Sequence, residues 1–141
     1  MAVSIGKAFD EIMATQFDIA LATRGRDGAP SVRVVNFTYD PKKKRLYFAT
    51  YPQNAKVAEI AEDPQVAFTT VPTEGRSHVR ARGVCRKSDR PLNEVTAALI
   101  ERDPTYQGTV DRFGDTLIPY EIEFRKATVM VDFAHTGEVQ P

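Results

Sequence analysis

The chain is 141 residues long, 42% of them hydrophobic and 27% charged, with 19 basic and 19 acidic side chains that cancel. That length suits one domain, residues 1–141, with a core able to do without disulfides, and the balance excludes a disordered chain, a collagen-like chain and a polybasic nucleic-acid or membrane binder. A single cysteine, Cys85, excludes a disulfide framework and a zinc site of several thiolates, and no apolar run approaches the roughly 20 residues that span a bilayer.

The opening MAVSIGKAFDEIM is too acidic and too short of apolar residues for a secretory signal, so a cytoplasmic location is expected. Residues 4–14 set Ile5, Phe9, Ile12 and Met13 on one face of a short amphipathic helix behind an N-cap, Ser4. The period then changes. FDIALATR (17–24), SVRVVNFTY (31–39) and RLYFAT (45–50) are predicted strands, joined by the turn Arg26-Asp27-Gly28 and by the solvated DPKKK turn. In YPQNAKVAEIAEDP (51–64), Val57, Ile60 and Ala61 make a helical stripe that Pro64 stops. QVAFTTVP (65–72) is a fourth strand, and a longer one runs from Arg76 to about Lys87. Residues 91–102 read as a helix with Leu92, Val95 and Leu99 inward. Asp103 to Thr116, with Gly108, Gly114 and no clear period, reads as a long functional or interface loop. PYEIEFRKATVMVDF (119–133) closes the chain with two strands or one bent strand. The expected architecture is a small closed or partly closed antiparallel barrel with helices outside.

Three segments carry candidate chemistry. In Thr50-Tyr51-Pro52-Gln53-Asn54-Ala55-Lys56 a lysine stands at a helix N-terminus, where acidic residues are usual. A bound phosphate, accepting from the amides, from Thr50 or Asn54 and from the ammonium, would resolve that conflict. Taken alone, the segment favours a plain solvated lysine. Arg33 shares a strand face with Val35 and Phe37, which is costly unless it meets an anion, and an ion pair to Glu or Asp is an equal alternative. In RSHVRARGVCRK, alternation sets Val79, Ala81, Gly83 and Cys85 on one face and His78, Arg80, Arg82 and Arg86 on the other. Solvated edge charge is the simpler account of that basic face, with the lining of an anionic pocket as the other. Gly83 marks a bulge or a close backbone approach, and Cys85 reads as a buried, inert thiol. Glu59, Glu62 and Asp63 read as a solvated helix face. No metal site is expected, because His78 and His135 lack a carboxylate at ligand spacing.

The order of these signals is more specific than any one of them. Residues 20–68 contain a hairpin with a DG turn leading to an R-x-V strand, a Y-F-x-T strand, and the helix N-x-K-V-x-x-I-x-x-D-P. This run resembles the pyridoxamine 5'-phosphate oxidase-like family of FMN-binding split barrels, over residues 15–88 and again in the final strands. The resemblance implies a mainly β (α+β) fold, a six- to seven-stranded antiparallel split β-barrel with flanking helices. It implies that Arg33 and Lys56 grip the FMN phosphate, with Asn54 nearby. Val34, Val35 and Asn36 would run beside the isoalloxazine ring, Ala49 and Thr50 would lie at its edge or at the phosphate, and His78 would reach the ring. A homodimer with FMN at the interface is implied, with His78 or C-terminal residues acting across subunits. The expected function is an FMN-dependent oxidoreductase that takes electrons from a nicotinamide cofactor, NADH or NADPH, and passes them to a small acceptor. No catalytic side chain is assigned. A non-catalytic flavin or haem module, with His78 or His135 as haem ligand, is one alternative; a deazaflavin enzyme holding an anionic tail on strand 76–87 is another. Thr38, Asp103 and an apolar residue near Leu99 stand where the oxidases bind the substrate phosphate. VDFAHTGEVQP also lacks their arginine–histidine motif. Vitamin B6 oxidation is therefore not expected.

Overall fold

A computed structural model describes residues 3–141; Met1 and Ala2, the start of the segment read as carrying no secretory signal, lie outside the described residues. Helix α1 (Ile5–Thr15) opens with Ser4 as N-cap, its hydroxyl accepting from the Lys7 amide at 3.2 Å. Phe9, Ile12 and Met13 are buried along it, as the spacing requires. Nine strands follow among the described residues: β1 (Asp18–Arg24), β2 (Pro30–Asn36), β3 (Thr38–Asp40), β4 (Arg45–Thr50), β5 (Gln65–Thr70), β6 (His78–Lys87), β7 (Ile118–Glu123), β8 (Ala127–Asp132) and β9 (His135–Val139). Three further helices, α2 (Ala55–Glu62), α3 (Leu92–Arg102) and α4 (Gln107–Phe113), flank them. No helix among the described residues is long and apolar enough to cross a membrane.

The strands form one antiparallel sheet in the order β2-β1-β5-β6-β7-β4-β3, which curls until β2 and β4 approach each other. The far edge of β6 is shared. Its first half, His78–Ala81, pairs with β8, and its last residues, Val84–Lys87, pair with β7. This divided ladder is the split in the barrel. Gly83 sits at the division, where a Cβ would stand 2.5 Å from the Glu123 carbonyl oxygen. The close backbone approach expected there is present. Gly83→Ala should destabilise the fold by about 1–3 kcal/mol, because the obstacle is backbone and cannot step aside; a lowered thermal midpoint measures it.

Inside the curl, α1 packs with Ile19, Leu21, Phe37, Leu46, Phe48, Val79, Tyr120, Ile122 and Val129, all essentially fully buried. Arg102 of α3 fixes the end of α1: its guanidinium donates to the Met13 and Gln16 carbonyls and lies 5.2 Å over the Phe37 ring. A second, smaller core of Tyr47, Val95, Leu99 and Tyr106 seals α3 against the outside of β4. Cys85 is buried, and burial pushes its thiol up to about 12, as an inert core thiol should behave.

Four expectations are corrected. Strand 31–39 breaks at Phe37 into β2 and β3, because the Phe37 amide turns to the Phe17 carbonyl, 3.0 Å away. Residues 103–116 are not a loop. Asp103 caps a 3-10 turn by accepting from the Thr105 amide, α4 follows, and Gly114 at φ 53° ends it. HTGEV forms an unforeseen strand, β9, pairing with β8. Together β3 and β9 raise the strand count above the six or seven expected. On α2, Ala61 is exposed, while Lys56 is buried and Glu59 half-buried.

Candidate functional site: a buried cation pair under helix α2

Helix α2 leaves β4 after a four-residue turn and packs against β1 and β6. Asn54 is its N-cap and accepts from the Lys56 amide at 3.2 Å, so that amide is committed to the cap. The cap starts the helix with Lys56 pointing inward. Lys56 is only 3% exposed, and among the described residues no carboxylate pairs with its ammonium. Burial first, and the Arg33 charge second, pull its pKa down to about 8. The two cations predicted to meet are neighbours.

Arg33 reaches the same place from the inward face of β2. Its Nη1 donates to the Leu21 carbonyl at 3.2 Å and to the Thr23 hydroxyl at 2.7 Å, while Nη2 donates to Glu59 Oε1 at 2.8 Å. The same Glu59 oxygen accepts from Thr23 at 3.0 Å. The Arg33 and Glu59 side chains are 22% and 16% exposed, so this is a largely enclosed pair. Of the two alternatives for Arg33, the ion pair is present, formed with Glu59. Glu59, read as solvated helix surface, is the half-buried partner of Arg33 that sequence reasoning missed. Its spacing carried the signal, since i and i+3 share a helix face and Lys56 and Glu59 are three apart. Arg33, Lys56 and Glu59 still sum to one surplus positive charge. Nη1 is fully engaged, which leaves Nε and one N–H of Nη2 free to fork onto an anion.

The depressed lysine gives a pH signature. Below about pH 8 Lys56 is charged in both folded and unfolded chains, and its desolvation cost is borne in full. Between about 8 and the ordinary 10.5 the folded form sheds the proton first. Stability of the ligand-free protein should therefore rise over that window. Denaturant melts from pH 7 to 10 measure this, and Lys56→Met should abolish the rise.

The remaining expected site residues divide. Val35 packs on the core, whereas Val34 is 62% exposed beside Val32 at 68% on the outer face of β2. Thr50 is buried at the end of β4, and Ala49 packs against the second core. Asn36 donates its amide to Asp18 Oδ1 at 2.8 Å and to Asp103 Oδ2 at 3.3 Å, tying β1 to the end of α3. Burial first, and then the Asp103 charge, raise the Asp18 pKa. His78 stands apart on this chain. The register sets Arg33 level with Leu21, Phe68 and Ala81, so His78 lies roughly 14 Å across the sheet and 10 Å along it. Its Nδ1 is 2.8 Å from the Arg76 carbonyl and so carries the proton, leaving Nε2 free. His135 pairs instead with Asp132 at 2.8 Å in the β8–β9 turn.

Outside the sheet, an open groove of about 1310 Å³ lies over β1, β5 and β6. Thr23 borders both this groove and the Arg33–Glu59 pair.

Solved structures share this fold. A haem-binding protein from Mycobacterium smegmatis superposes with a TM-score of 0.80 at 14% identity, over 99% of this chain and 59% of that one. HutZ, the haem storage protein from Vibrio cholerae, gives 0.70 at 14% identity, over 98% and 95%. A NimC/NimA family protein from Clostridium acetobutylicum gives 0.66 at 20% identity, over 94% and 92%. The chain thus spans a little over half of the M. smegmatis protein and most of the other two. No curated protein sequence matches it. The pyridoxamine 5'-phosphate oxidase-like family model matches residues 12–136. With that match over most of its length, on a split antiparallel barrel, the chain belongs to the pyridoxamine 5'-phosphate oxidase-like family.

Proposed function

We propose that the chain is an FMN-binding oxidoreductase that takes electrons from a nicotinamide cofactor, with the FMN phosphate held between Arg33 and Lys56. One observation carries this reading: a lysine buried to 3% exposure beside an arginine, with no carboxylate of its own among the described residues. Such a charge is costly until an anion arrives, and a phosphate monoester supplies two negative charges and several acceptor oxygens. Glu59 and Thr23 hold the Arg33 fork in place, and the Asn54 cap holds the helix that presents Lys56. Bound FMN would supply two-electron chemistry; the residues named here bind and orient it. A homodimer with the flavin at its interface belongs to the same proposal, supported by the exposed Val32 and Val34 on β2. A cytoplasmic location remains part of the expectation.

A haem-binding role is the second reading. Two fold neighbours named for haem binding and haem storage favour it, and so does His78, whose Nδ1–H donates to a carbonyl and leaves Nε2 without a hydrogen bond among the described residues, the arrangement of a ligating histidine. Mass spectrometry of the ligand released from freshly purified protein decides. FMN is expected; haem, a deazaflavin or nothing would overturn the flavin assignment.

A further inference from the structure

The outer face of the sheet carries an ordered charge pattern that the phosphate site leaves unused. Register lines up two cross-strand rows on it: Val32, Ala22, Ala67 and Arg82, and beside them Val34, Ala20, Thr69 and Arg80. Each row runs from an exposed valine on β2, over small side chains, to an arginine on β6, a span of roughly 14 Å. At the β6 end the cations concentrate. The groove there is lined by six basic side chains and one carboxylate, Glu123, which Arg86 and Arg45 already engage at 2.7 and 3.4 Å. Arg24 is paired with Asp63 and Lys126 with Glu138. Arg80, Arg82 and Arg125 have no carboxylate within ion-pair distance among the described residues. In a chain of zero net charge, three unpaired arginines around one groove are a concentrated anion-attracting field.

We propose that this face is the docking track for the electron-donor dinucleotide and that its arginines select NADPH over NADH. The inference rests on the oxidoreductase reading and names the donor. Outward side chains two apart on a strand stand about 7 Å from each other. Arg80 and Arg82 therefore offer two separate forks, with Arg125 across the groove, a set suited to phosphate groups spaced along one ligand rather than to a single anion. NADPH carries a 2'-phosphate in addition to its pyrophosphate; NADH carries the pyrophosphate alone. The small side chains Ala22 and Ala67 leave the floor low enough for a ligand to lie across the strands toward β2, where the flavin is proposed. The groove, about 1310 Å³, is large enough for a dinucleotide.

The test is calorimetric titration of the full chain with NADP⁺ and NAD⁺, oxidised forms that bind without turnover, alongside FMN. Wild-type protein should bind NADP⁺ at least tenfold more tightly than NAD⁺. The Arg80→Gln/Arg82→Gln double variant, whose side chains are exposed and outside the core, should lose that preference and keep its FMN affinity. Equal binding of the two dinucleotides, binding of neither, or an NADP⁺ preference that survives the double variant overturns the track. The two proposals fail separately: FMN binding without NADP⁺ preference removes the track alone, and NADP⁺ preference without FMN binding removes the flavin assignment alone.

Discussion

Lys56→Met should weaken FMN binding about 10- to 150-fold and, in the same protein without ligand, raise the melting temperature. The two effects share one cause. The lysine side chain is buried and no carboxylate among the described residues pairs with it, so its charge penalises the empty fold, and removing it relieves a desolvated charge. When the phosphate is present, the same ammonium makes a charge-assisted contact worth roughly 1.5–3 kcal/mol, which sets the loss in affinity. Methionine keeps the length and apolar stem, so packing under α2 survives. A solvated surface lysine would show neither effect. Fluorescence titration of FMN together with a thermal melt reads both, and an unchanged FMN affinity would remove Lys56 from the site.

Arg33→Ala behaves differently, because Arg33 is already paired. It should lose FMN binding and also destabilise the ligand-free protein by about 2–3 kcal/mol, since Glu59 is left largely enclosed without its cation. Adding Glu59→Gln to Arg33→Ala removes the stranded charge, so stability should recover while FMN binding does not. A double-mutant cycle in urea separates the two roles. If Arg33→Ala leaves stability unchanged, the Arg33–Glu59 pair is not holding β2 to α2.

Much of this was legible before any coordinates. Alternation placed Arg33 inward on β2 and Cys85 inward on β6, because a period of two leaves little choice once one face is buried. The stop at Pro64 bounded the end of α2 closely. Partners were harder to read. That Glu59 would turn from solvent to Arg33 depends on how α2 is rotated against β1, and Ala61 was weighed as apolar where the helix instead buried a lysine. The break at Phe37 and the strand at 135–139 were hidden for a similar reason. Each depends on a distant backbone partner, Phe17 in one case and β8 in the other, and neither leaves a local period. The α4 segment was missed because its two glycines weaken a helical pattern that Asp103 and Pro104 nonetheless start.

The fold by itself does not choose the ligand: proteins of this shape include ones named for haem, and the choice rests on whether the space between Arg33 and Lys56 takes a phosphate. Titration with FMN and with riboflavin, which share the ring and differ by that one group, addresses it directly. With two charge-assisted contacts on the phosphate, riboflavin should bind about 100-fold or more weaker than FMN. Equal affinities for the two would contradict the account, because the cation pair would then be contributing nothing to binding.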